Sequence, residues 1–183
     1  KDQYGIDFQG EGLTIDGREK GTRKLMAINL LKRLESSVNS FRLTLVRIYD
    51  FIKDSVAAID KFEESGAATI DVTDFTDDFD AEDAENDPFV GRKSKINLRD
   101  MDYVSWRRNL KADMEVLELL LFMLKDITPE HDAKLRQLVA DLKHKFEHPI
   151  NGGNRKVLIF TAFADTANYL YEQLSAKLLD ECG

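Results

Sequence analysis

The chain has 183 residues, 43% apolar and 33% charged, enough to bury the core of one domain or two small ones. No apolar run approaches the roughly 20 residues that span a bilayer, and no apolar stretch follows the polar opening Lys1–Gly5, so neither a membrane span nor a secretory leader is expected. The lone Cys182 has no internal disulfide partner, which fits a reducing, cytoplasmic compartment. The net charge of −8 is concentrated in one place: between Ala67 and Pro88 there are nine acids and no base, and the rest of the chain carries 25 acids against 26 bases. The acidic balance therefore does not exclude nucleic-acid contact elsewhere.

Residues 1–21 hold Gly5, Gly10, Gly12 and Gly17 and read as an irregular lead-in, with a short strand at Leu13–Ile15. A long helix is expected over 22–65. Ala27, Leu31, Leu34, Val38, Phe41, Leu45, Ile48, Ile52, Ser55, Ile59 and Phe62 alternate spacings of four and three without a slip. That is the seven-residue repeat of a coiled coil or helical hairpin. A rod of this length measures roughly 60 Å, and Gly66 stands where a C-cap glycine belongs. Its apolar seam requires a partner helix.

The acidic stretch 67–97 has few large side chains and reads as a mobile loop, with a short edge strand at Thr69–Thr73 as the one regular candidate. The partner helix follows over 98–127, where Tyr103, Leu110, Met114, Leu117, Leu121 and Leu124 keep the same spacing. Val116, Leu119, Leu120, Phe122 and Met123 widen its apolar face, so its second half is expected to be buried between several neighbours. Thr128-Pro129-Glu130 reads as the cap and first turn of another helix, which carries Leu135, Leu138, Val139, Leu142 and Phe146 and stops at His148-Pro149. Asn151-Gly152-Gly153-Asn154 is a joint. Lys156–Thr161 then reads as a buried strand handing over to a helix at 163–180, the opening of an α/β domain. The expected class is mainly α: an antiparallel helical bundle over 22–148, then a partial βα unit over 155–183. So short a unit leaves the strand edge open, to pack on the bundle, pair with the lead-in, or pair with a second chain in a homodimer.

Two stretches together resemble a known family. Asn29-Leu30-Leu31-Lys32-Arg33-Leu34-Glu35-Ser36-Ser37, followed by Phe41-Arg42-Leu43-Thr44-Leu45, resembles a helix of bacterial Swi/Snf-type superfamily-two helicases that lies between their two RecA-like motor domains. Lys156-Val157-Leu158-Ile159-Phe160-Thr161, with Phe163, Asp165-Thr166 and Tyr169-Leu170, resembles helicase motif IV, which opens the second motor domain. The order agrees, and the resemblance covers roughly 22–60 and 145–180. It implies that the chain is a piece of a larger DNA-dependent ATPase, using ATP and magnesium held elsewhere in the parent protein. The phosphate-cradling Gly-x-x-x-x-Gly-Lys-Ser/Thr loop is not in this sequence, so the chain alone is expected to have no catalytic residues, no cofactor and no turnover.

The resemblance places Thr161 near the nucleic-acid backbone, where its hydroxyl can meet a phosphate; the plainer reading is a strand end that caps the next helix. It makes Arg33, Glu35, Ser36 and Ser37 candidates for docking the helix on a motor lobe, against simple close packing by two small serines. Arg92, Lys93, Lys95, Arg99, Arg107 and Arg108, with Tyr103 and Trp106 interleaved, are the candidate DNA contacts; the plainer reading is a solvated face compensating the acids beside it. His144 and His148 have the four-residue spacing of metal ligands, but they sit at a helix end without a third ligand and are read as no metal site. The rival function is a non-enzymatic coiled-coil interaction module, which the unbroken repeat supports equally. A receiver-type signalling domain is disfavoured, because the strand ends in Thr161 rather than an aspartate.

Overall fold

The structure is a computed structural model that describes residues 15–65, 69–71 and 95–182. Its elements are α1 (Ile15–Ser36), α2 (Val38–Ser65), β1 (Thr69–Asp71), β2 (Lys95–Asn97), a 3-10 turn (Leu98–Asp100), α3 (Tyr103–Leu124), α4 (Ala133–Glu147) and α5 (Ala164–Cys182). The chain is mainly helical, as the apolar periodicity requires. β1 and β2 pair antiparallel, with Ile70 opposite Ile96, and tie the two ends of the acidic excursion together. The rest of that excursion lies outside the described residues, and with it the mobile-loop reading.

α2 and α3 form the core. Phe62 meets Tyr103 edge-on at 5.2 Å, Arg107 reaches Glu63 at 2.7 Å, and Tyr49 donates to Glu118 at 2.7 Å. As α2 is followed backwards α3 runs forwards, so the pair is antiparallel. Ile52, Val56 and Ile59 of α2 close on Leu98 and Leu110, with Phe51, Trp106, Met114 and Leu117 around them. The seam from Leu45 to Phe62 is thus the buried one, with Leu45, Ile52, Ser55 and Ile59 all out of solvent.

Several expectations are corrected. The long helix is two helices, interrupted at Ser37, and α1 begins at Ile15. Residues 15–21, read as lead-in, are therefore helical: Arg18, Glu19 and Lys20 are good helix formers and outweigh Gly17 and Gly21. The strand at Leu13–Ile15 falls partly outside the described residues, and Ile15 is in the helix. The repeat continues into α1 but is not covered there, and Leu31 and Leu34 are exposed. α3 starts after Asp102, whose carboxylate accepts from the Ser105 amide at 3.0 Å, rather than at 98. Thr128 does not cap α4. It closes a turn in which the His131 amide donates to its carbonyl at 2.9 Å, and Asp132 is the cap, accepting from the Leu135 amide at 3.0 Å.

The second half of α3 is not enclosed: Val116, Leu119, Phe122 and Met123 are exposed, because α2 is the helix packed along α3 and one helix covers one stripe. Nor is Lys156–Thr161 a strand. It carries no ladder bonds, and Leu158 and Phe160 stand almost fully in solvent. A strand exists only against a neighbour that completes its hydrogen bonds, and none lies beside this segment among the described residues.

Candidate functional site

The chain brings its sequence-distant polar residues together at one place, the Ser37 break. The break has a local cause. The Ser37 hydroxyl accepts from the amides of Asn39 at 3.1 Å and Ser40 at 3.3 Å, an N-cap within what would otherwise be one helix. Helical bonds still bracket it, from the Ser37 amide to the Arg33 carbonyl and from the Phe41 amide to the Ser37 carbonyl.

The first turn of α5 docks on this break. Arg47, nearly three turns beyond the cap in α2, holds Asp165 with two guanidinium nitrogens, at 2.7 and 3.0 Å. Arg33, from α1, reaches the same carboxylate at 3.3 Å while its guanidinium lies over the Phe163 ring, 4.7 Å from the centroid. The side chain of Arg33 is only 7% exposed and that of Asp165 14%. Two arginines on opposite sides of the break thus share one acid, and the bidentate fork fixes its orientation. The hydroxyls of Ser36 and Thr166 are bonded at 2.9 Å. From α4, the Lys134 ammonium donates to the Glu35 carbonyl, and the Tyr169 hydroxyl of α5 donates to Asp132 at 3.0 Å.

All four candidate docking residues therefore sit at the joint, three of them in contact with other helices or their lead-in. Arg33 and Ser36 act through side chains, Glu35 through its backbone carbonyl, and Ser37 as the cap. Thr161 is nearby and half-buried. Its hydroxyl accepts from the Phe163 amide at 3.3 Å, a turn just ahead of α5 rather than a cap on its first helical amides, and it lines a cavity of about 210 Å3 with Ser36, Ser37, Lys134, Phe160 and Thr166.

Among the described residues the basic cluster is not brought together in this way. Arg107 is engaged by Asp60 and Glu63 of α2 and serves the helix pair. Arg99 and Arg108 are exposed. Lys95 lies in β2, while Arg92 and Lys93 lie outside the described residues. His144 and His148 stack at 4.7 Å at the end of α4, and among the described residues no group of three or more His, Cys, Asp or Glu gathers as metal ligands. No helix among the described residues is long and apolar enough to cross a membrane.

The joint residues that sequence reasoning did not single out are Arg47, Lys134 and Asp132, and the role of Asp165. Asp165 had a signal: an acid in the first turn of a helix favours the positive helix end. Arg47 had none, because its partner is 118 residues away.

The hydrogen bond from Arg47 holds the Asp165 carboxyl below its usual range, with the charges of Arg47 and Arg33 acting the same way and partial burial opposing them. A depressed folded pKa stabilises the docked state above the ordinary carboxylate value of about 4 and is lost as pH falls below it. We expect α5 amides to lose protection from hydrogen exchange below about pH 4 before the α2–α3 core does. Equal protection of both down to the acid transition of the core would show that the ion pair does not hold α5. Burial and the bond to Asp132 push the Tyr169 phenol well above its ordinary range, so it stays a neutral donor.

No family model, curated protein or solved structure matches the chain.

Proposed function

We propose that the chain is the region coupling the two motor lobes of an ATP-dependent DNA translocase of the Swi/Snf-like, superfamily-two kind, with 155–183 opening the second RecA-like lobe. One observation carries the reading. The two stretches that resemble that family lie 132 residues apart at Arg33 and Asp165, and they meet side chain to side chain. A hinge between lobes needs such a contact, because movement of the second lobe must reach the helices through something stiff. An ion pair shared by Arg33, Arg47 and Asp165 is such a part.

The exposed Val157–Phe160 segment supports the same reading. Four consecutive apolar residues need a sheet with cover on both faces, and the remainder of a RecA-like lobe would supply it. Without that lobe, a second copy of the chain is the substitute partner. ATP and magnesium belong to flanking motor parts on this reading, and no step of hydrolysis is assigned to these residues. DNA is met through the parent protein, with Thr161, Arg99 and Arg108 as the contacts this chain can add. The rival, a non-enzymatic coiled-coil module, is favoured by one feature, the uncovered apolar repeat at Leu31 and Leu34.

The test is the coding sequence on either side and the activity of the protein it encodes. A phosphate-cradling loop before Lys1, arginine-finger motifs after Gly183 and ATP hydrolysis stimulated by duplex DNA are expected. The chain 1–183 alone should show no turnover. Flanking sequence without either motif would overturn the motor reading in favour of the module.

A further inference from the structure

The Ser37 break has the parts of a two-state element. The apolar repeat passes through it without a slip, so an unbroken α1–α2 helix is compatible with the sequence. In such a helix the Asn39 amide would donate to the Glu35 carbonyl and the Ser40 amide to the Ser36 carbonyl. Here both amides turn to the Ser37 hydroxyl, and the Glu35 carbonyl receives Lys134 instead. The Ser40 hydroxyl is buried with no partner, and the Ser36 carbonyl, four residues back, is the acceptor a continuous helix would offer it. An unpaired buried hydroxyl is a cost borne by the broken form alone.

We propose that the joint is a latch: Lys134 of α4, with Asp165 and Thr166 of α5, holds the helix broken at Ser37, and their release lets α1 and α2 close into one continuous helix. The broken form is stabilised by the cap and by contacts that reach it from two other helices. The closed form exchanges the two cap bonds of Asn39 and Ser40 for two main-chain bonds and satisfies the Ser40 hydroxyl. Position of α5 and continuity of the long helix are thereby alternatives within one equilibrium. In the coupling role proposed above, on which this regulatory meaning rests, undocking of the second lobe would stiffen the rod between the lobes.

The test is hydrogen exchange at the amides of Val38, Asn39 and Ser40 in the full chain, compared with Ser37→Ala and Lys134→Ala. In a static break, Ser37→Ala strips Asn39 and Ser40 of their acceptor and they exchange faster. In the latch, loss of the cap shifts the equilibrium to the closed helix, and exchange slows by about tenfold. Lys134 is exposed, so Lys134→Ala leaves the core intact and is expected to slow Asn39 in the same direction. Slower exchange in both variants, with helix content by circular dichroism kept or raised, supports the latch. Faster or unchanged exchange in either overturns it. The readout involves neither ATP nor DNA, so its failure is distinct from failure of the motor reading.

Discussion

Replacing Asp165 with alanine is expected to release α5 and to cost about 3 kcal/mol of stability. The cost comes from what the substitution leaves behind. Arg33 has a side chain only 7% exposed and would keep a buried charge with its acid removed. Arg47 is more open, at 33%, and water would compensate it. Denaturant unfolding would measure the loss, and hydrogen exchange would place it in α5 ahead of α2 and α3. Adding Arg33→Met is expected to return part of the loss, because a buried charge deprived of this carboxylate is costlier than an apolar side chain of similar size. A loss below about 0.5 kcal/mol for Asp165→Ala would show that the ion pair is an ornament of the surface.

Truncating Ile59 to alanine is expected to cost about 3–4 kcal/mol, while the same truncation at Leu119 changes stability by less than about 0.5 kcal/mol. Both are large aliphatic residues on amphipathic helices. Ile59 is fully buried between Ile52, Val56, Leu98 and Leu110, so shortening it opens a cavity. Leu119 is 60% exposed on the far side of α3 and opens none. Urea midpoints of the two variants at constant slope decide it. A large loss at Leu119 would mean that its face is covered in solution, by a second copy or by another part of the chain.

The pairing of α2 with α3 was legible because its cause is local and periodic. Leu45, Ile52 and Ile59 recur at the spacing that one helix needs to face another, and Tyr103, Leu110, Met114 and Leu117 answer it. The break at Ser37 was less legible. Periodicity reports which residues share a face and is blind to a one-residue interruption that leaves the phase unchanged. Ser37 is a residue type that caps helices, but nothing in the repeat distinguishes it from Ser36 beside it. Thr128 misled for the opposite reason: threonine before proline is a common start, yet its hydroxyl is turned to Glu130 and His131, and Asp132 took the role. The exposed face of α3 and the unpaired Val157–Phe160 segment could not be read at all. Apolar residues announce a need for cover, and whether cover arrives depends on atoms elsewhere.

The same segment sets a condition on how this polypeptide is made. Val157–Phe163 is a seven-residue window rich in β-formers with neither charge nor proline, the signature of a stretch that stacks on itself across molecules into cross-β fibrils. Arg155 and Lys156 stand directly before it as like-charged gatekeepers that disfavour such stacking. A cell synthesising the chain therefore gains from shielding these few residues soon after they leave the ribosome, and two cations guard them until that happens.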